Sequence, residues 1–270
     1  MQSDTKIDEA STKAILNVLH QEARNYAAVI YWGTDLRDAN TILNNGTCFA
    51  VKISGKIIGI TADHVLFGGE ESYFQQKVKF PDLELAIRNF HITDMEHRII
   101  DHDKGLDIAT FHLSEDEIGQ IGFRVYECAI EKWPPPPPQK GRGITFMGFP
   151  ADKRRVINRK SIEFEGVTES LVVTDVGPNH LDIQVRLKDL SSLNGEPIPP
   201  LEKNLGGYSG APVLVVSSGL GELWWPGGVI YQMPRSLRTD ENGEEVTYII
   251  ARRVNVINAD GTLKRKIQSA

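Results

Sequence analysis

From residue 28 onward the chain is a series of short β-branched and aromatic runs, at 28–32, 47–53, 56–62, 77–79, 107–112, 124–130, 143–148, 171–176, 181–187, 212–216 and 228–232. Gly, Asn and Asp punctuate these runs, and few helical periods fit between them. So many short strands with turn signals predict an all-β protein whose antiparallel strands close into barrels or stack as a sandwich. Only residues 8–26 have helical spacing, with Ile15, Leu16, Leu19, Ala23 and Tyr26 on one face. Ser11 or Thr12 is available as an N-cap, so a helix packed on the outside of the main fold is expected there.

Trp133 is followed by Pro134 to Pro138, and five consecutive prolines remove every backbone donor and favour an extended polyproline II spacer. This divides the chain into a helical extension (1–26), a first β unit (27–132), a proline-rich linker (133–138), a second β unit (139–258) and a tail (259–270). A chain of 270 residues can bury a substantial core in such units. The proline tract is also the kind of segment that SH3 and WW domains bind. A spacer between two β units accounts for its place in the chain without that further assumption.

A formal net charge of -6 gives no reason to expect nucleic acid, and Lys153-Arg154-Arg155, Arg252-Arg253 and Lys264-Arg265-Lys266 read as solvated surface. The polar Met-Gln-Ser-Asp-Thr-Lys start lacks the apolar centre of a secretory signal, and no run approaches the ~20 apolar residues of a membrane span. Cys48 and Cys128 are too few for a disulfide framework and lie in apolar strand-like segments, where buried free thiols are expected. His-Glu-x-x-His and clustered Cys/His spacings do not occur, so neither a metal nor a cofactor is expected. The expected setting is cytoplasmic.

Residues 206–212 read Gly-Gly-Tyr-Ser-Gly-Ala-Pro, a glycine-flanked turn of the kind that presents a hydroxyl nucleophile beside backbone donors. Upstream, Thr61-Ala62-Asp63-His64-Val65 closes an alternating strand and Gly105-Leu106-Asp107-Ile108-Ala109-Thr110 opens another. The order His, Asp, Ser is that of the chymotrypsin-like arrangement; subtilisin and the α/β-hydrolases use different orders. Together with Gly46-Thr47-Cys48-Phe49-Ala50-Val51 and Gly148-Phe149-Pro150, these segments resemble the trypsin-like serine peptidases, especially the bacterial-type members without disulfides. The resemblance extends over roughly residues 28–235 and implies two perpendicular six-stranded β-barrels with an active site in the cleft between them.

Each residue type suits the chemistry. His64 would take the proton of Ser209 and return it to the leaving amine, its near-neutral pKa serving both directions. Asp107 would accept from the other imidazole nitrogen and fix the tautomer. Ser209 would attack the scissile carbonyl and become acylated. The N–H groups of Gly207 and Ser209 would face the developing oxyanion. Asp101 and Asp103 are competing carboxylates; Asp107 is preferred because apolar Ile108-Ala109 place it at the start of a buried strand. His20, His91, His97, His102, His112 and His180 have no comparable surroundings in the sequence.

Where extracellular family members carry an aspartate that pairs with a newly freed N-terminus, this chain has Tyr208, and the cysteine usually found after the histidine is Val65. Activation through that ion pair is therefore unavailable, leaving a directly active enzyme or one switched by the N-terminal helix or a partner. By spacing, Lys203 falls at the base of the primary pocket and would favour an acidic or polar side chain before the scissile bond; Glu202 and Asn204 are one register step away and predict otherwise. The strand containing Val229, Ile230 and Tyr231 is expected to line the pocket wall and pair with substrate backbone. The expected function is a serine endopeptidase acting on protein or peptide substrates. The alternative is a latent or inactive homologue that binds peptides or recruits partners.

Overall fold

The computed structural model describes residues 9–186, 207–216, 225–232, 238–240 and 242–265. Helix α1 (Glu9–Tyr26) opens the chain. The first sheet comprises β1 (Ala28–Gly33), β2 (Ile42–Ile53), β3 (Lys56–Thr61), β4 (Glu84–Ile87), β5 (Phe90–Ile92), β6 (Ile99–Asp103), β7 (Ile108–Leu113) and β8 (Tyr126–Cys128). Between these strands lie the short helices α2 (Asp63–Leu66), α3 (Tyr73–Lys79), α4 (Met95–Arg98) and α5 (Glu115–Ile121). The second half contains β9 (Gly143–Gly148), β10 (Arg154–Asn158), β11 (Ser161–Phe164), β12 (Val167–Val172), β13 (Asp175–Val176) and β14 (His180–Arg186). It continues through β15 (Pro212–Val215), β16 (Trp225–Gln232), β17 (Arg238–Thr239) and β18 (Glu245–Arg253).

The first sheet runs β5-β4-β1-β2-β3-β7-β6, with β8 beside β2; the second runs β12-β9-β15-β16-β18-β14-β13, with β17 beside β18. Strands β10 and β11 form a separate hairpin. The long β2 pairs with β1 through Ile42–Cys48 and with β3 through Phe49–Ile53, so one strand turns the sheet back on itself. The result is two curled antiparallel sheets with an N-terminal helix, as the strand pattern predicts. Among the described residues each sheet comprises eight strands, and the β2/β8 pair is parallel.

Local differences have identifiable causes. Residues 77–79 end helix α3 instead of forming a strand: Lys77-Val78-Lys79 has one apolar side chain, and Val78 is 81% exposed, so no sheet face needs it. Ser11 and Thr12 lie inside α1, which starts at Glu9, so neither caps it. Strands β4, β5, β6, β10, β11, β17 and β18 form outside the β-branched and aromatic runs. Several are edge or hairpin strands with mixed polarity, whose partners rather than their own pattern hold them extended.

The first half has a core of its own around Trp32, Leu85, Met95 and Phe111. The second has one around Phe146, Ile183, Val213 and Ile249. A third apolar cluster joins Phe49, Ile58 and Ile108 of the first sheet to Val229, Val254 and Val256 of the second half. Burying such side chains stabilises by about 1.5–3 kcal/mol each, so this shared layer holds the two halves against one another. Helix α1 also spans both halves. Glu22 pairs with Arg124 at 2.7 Å, and His20 Nε2 lies 3.2 Å from Ser170 Oγ.

The proline tract lies against the protein, with Pro135 and Pro138 buried at polyproline spacing. Trp225 Nε1 donates to the Pro136 carbonyl at 3.1 Å, and Trp133, itself buried, donates to the Ile257 carbonyl at 2.9 Å. Beyond β18, the residues expected as a tail return to the first sheet. Thr110 Oγ1 donates to Gly261 O at 2.7 Å, the Leu263 N–H donates to Asp101 Oδ2 at 2.9 Å, and Arg265 pairs with Asp101 at 2.6 Å. Cys48 and Cys128 are both free thiols, and only Cys48 is fully buried.

Candidate active site

Strand β3 ends at Thr61, and the chain turns through Ala62 into the single turn of α2, which carries His64. Facing it, Asp107 stands immediately before β7, and the first residues of that strand, Ile108 and Ala109, are fully buried. The structure brings these two side chains together. His64 Nδ1 lies 3.0 and 2.9 Å from Asp107 Oδ1 and Oδ2, and the His64 backbone N–H donates to Oδ1 at 3.0 Å. A carboxylate oxygen accepts, so with a neutral imidazole this contact places the proton on Nδ1 and leaves Nε2 free to accept. Asp107 has φ of 54°, a left-handed backbone that costs an L-residue roughly 1–2 kcal/mol. Asp101 and Asp103 are engaged elsewhere, with Leu263 and Arg265 and with the Leu106 N–H respectively.

Ser209 belongs to the second half, in a turn between Gly207 (φ 100°) and Gly210 (φ 89°) that leads into β15. Two threonines of the first sheet, both wholly buried, stitch this turn to β2 and β3. The Thr47 N–H donates to Ser209 O at 2.9 Å and Thr47 Oγ1 donates to Gly207 O at 2.5 Å, while Thr61 Oγ1 donates to Thr47 O at 2.7 Å. From the other side, the Gly210 N–H donates to Ile230 O at 2.8 Å and the Ile230 N–H to Ala211 O at 2.9 Å. Tyr208 points into the second core, edge-on to Phe146 with ring centroids 6.0 Å apart. Burial holds its hydroxyl neutral, well above the ordinary phenol range. A neutral phenol cannot act as the aspartate would at this position.

Among the described residues, the backbone N–H groups of Gly207 and Ser209 find no acceptor. Backbone donors on a constrained turn beside a serine are what an oxyanion would use. Ser209 Oγ and His64 Nε2 do not hydrogen-bond to each other. Lys203 and Asn204 lie outside the described residues. Of the strand residues expected to line a pocket, Val229 and Ile230 are fully buried in the apolar clusters, and only the Tyr231 side chain is partly exposed. No group of three or more His, Cys, Asp or Glu able to hold a metal occurs among the described residues.

One pair escaped the sequence reading. Asp63, next to His64, is buried and its Oδ1 lies 2.9 Å from His102 Nδ1. The His102 ring stacks on Phe67 at 3.8 Å. Burial raises the Asp63 carboxyl above the usual carboxylate range, and the bond and charge of His102 pull it back. Asp63 lies in the motif already singled out for His64, but nothing in the sequence around His102 marks it as the partner.

No protein-family model and no curated protein matches the sequence. Solved structures do. One comes from work on the coupled folding and binding of the intrinsically disordered Sesbania mosaic virus VPg protein, at 14% identity and a TM-score of 0.44, covering 84% of this chain and 85% of that chain. Another is a Glu endopeptidase in complex with MPD, at 14% identity and a TM-score of 0.44, covering 85% of each chain.

Proposed function

We propose that this protein is a serine endopeptidase of the trypsin-like kind, with Ser209 as nucleophile, His64 as general base and acid, and Asp107 as the group that orients His64. The observation that carries the reading is the His64–Asp107 contact, since it leaves Nε2 as the basic nitrogen, and β3, which leads into His64, is tied through Thr61 and Thr47 to the Ser209 turn. Nε2 would remove the Ser209 hydroxyl proton as Oγ attacks the scissile carbonyl, and the imidazolium would be stabilised by the Asp107 carboxylate. The N–H groups of Gly207 and Ser209 would receive the oxyanion, an interaction whose loss typically lowers rate by about 10²–10³. Collapse of the tetrahedral species would send the proton from Nε2 to the leaving amine. Water, activated the same way, would then release the acyl group.

A second reading is a latent or inactive homologue that binds peptides in the same cleft. The observation favouring it is the missing Ser209–His64 hydrogen bond. Such bonds are often long in unliganded enzymes and tighten on substrate. A fluorophosphonate probe separates the two: adduct at Ser209, located by peptide mass spectrometry and abolished in Ser209→Ala and His64→Ala, is the expected result. A folded protein that takes no label would give preference to the latent reading.

A further inference from the structure

The segment holding Asp107 is gripped from the opposite half of the molecule. Arg252 lies on β18, where its neighbour Ala251 is fully buried, so the arginine side chain leaves the opposite face of the strand. Its Nε donates to the Leu106 carbonyl at 2.6 Å and its Nη2 to the Gly105 carbonyl at 3.2 Å. The guanidinium carbon lies 4.7 Å from the centroid of the Tyr231 ring, which supplies a flat platform. On the other side of the turn, the Leu106 N–H donates to Asp103 Oδ1 at 2.8 Å.

These contacts act on the two peptide planes leading into Asp107. The Asp103 carboxylate and the Arg252 Nη2 bond hold the plane between Gly105 and Leu106; the Arg252 Nε bond holds the plane between Leu106 and Asp107. The φ angle of Asp107 is the rotation between that second plane and its own Cα, so its left-handed value of 54° is set against a fixed plane. A residue in such a conformation persists only where its surroundings over-determine it. The return is directional: from this backbone the Asp107 carboxylate meets both the N–H and the Nδ1 of His64.

We infer that Arg252 is a positioning residue for the His64–Asp107 pair: its two-pronged grip on the Gly105 and Leu106 carbonyls fixes the conformation from which Asp107 orients His64. This rests on the reading of that pair given above. Because Arg252 sits on the sheet that also carries the Ser209 turn, the same grip registers the orienting carboxylate against the half that supplies the nucleophile. Lysine is an imperfect substitute, since its donors radiate from one nitrogen on a flexible stem, whereas the guanidinium holds two separated nitrogens in a fixed plane.

The test uses the full chain labelled with ¹⁵N-histidine. The hydrogen-bonded Nδ1 proton of His64, identified by its loss in His64→Ala and Asp107→Ala, is observed by NMR alongside the fluorophosphonate labelling rate. Arg252→Met keeps the stem over Tyr231 and removes the donors. It is expected to lose that proton signal to rapid exchange and to label about 100-fold more slowly, the scale of a 1 Å misplacement, with the melting temperature little changed. Arg252→Lys is expected to recover part of both. An Arg252→Met protein with the wild-type proton signal and a labelling rate within twofold of wild type would overturn the inference. Should Arg252→Met fail to fold, Arg252→Lys decides: a wild-type signal and rate there also overturns it. Wild-type protein that shows the Nδ1 proton, loses it on Arg252→Met and yet takes no label would sink the proteolytic reading and leave the grip of Arg252 standing.

Discussion

Replacing Gly210 by alanine is the sharpest test of how the serine turn is seated. A Cβ at this position would lie 1.9 Å from the Thr47 carbonyl oxygen and 2.3 Å from Thr61 Oγ1. An ordinary C···O approach is about 3.3 Å or more, so the turn must back away from β2 by more than ~1 Å. That retreat breaks the bonds from the Thr47 N–H to Ser209 O and from Thr47 Oγ1 to Gly207 O. Each such bond contributes about 1 kcal/mol net, and placing an L-residue at φ of 89° adds about 1–2 kcal/mol. The expected loss is about 3–4 kcal/mol, a large share of the 5–15 kcal/mol that holds a typical domain together. Urea unfolding followed by circular dichroism measures it. Gly243→Ala serves as the control: φ there is 80° with nothing within 4 Å of the new Cβ, so only the backbone part of about 1–2 kcal/mol is expected. Equal losses for the two variants would refute the claim that contact with Thr47 and Thr61 seats the turn.

Two further outcomes are expected. His102→Ala strands the buried Asp63 carboxylate and is expected to destabilise by about 1–3 kcal/mol near neutral pH. A carboxyl raised in the folded state contributes stability that is present below its unfolded pKa and lost as pH rises through its folded one. The deficit should therefore shrink as pH falls below neutral, and a pH-independent deficit in the urea midpoint would count against the pairing. Cys48 is fully buried and its thiol is pushed up to about 12 by burial, so a disulfide reagent at pH 8 should leave it unmodified in the native protein and react with it in urea. Modification of native Cys48 at the unfolded rate would show that β2 opens readily.

Much of the strand inventory is legible in the chain. The runs at 28–32, 56–62, 143–148 and 212–216 correspond closely to β1, β3, β9 and β15, because buried strands are written as nearly continuous apolar segments. The weaker strands are not legible. Arg154–Asn158 is mostly exposed, and its extended form comes from pairing with β11, so no apolar pattern announces it. Cys128 shows a similar limit: its apolar surroundings suggest burial, yet it lies on β8, off the main path of the sheet, and stays partly exposed.

The candidate site divides the same way. His64, Asp107 and Ser209 each stand in a local context that the sequence exposes: a strand end, a strand start and a glycine-flanked turn. Their chain order and local context, with the flanking Gly46 and Gly148 segments, single them out in the sequence. The residues that seat them were hidden. Thr47 reaches Gly207 across 160 positions, Arg252 reaches Leu106 across 146, and His102 finds Asp63 across 39. Local pattern reports which side chains face inward along one strand, and that much the sequence determined by itself. Which donor meets which acceptor depends on sheet register and on how two curled sheets meet, and these are set by burial summed over the whole chain. Only the tertiary structure could decide that an arginine near the C-terminus holds the loop of Asp107.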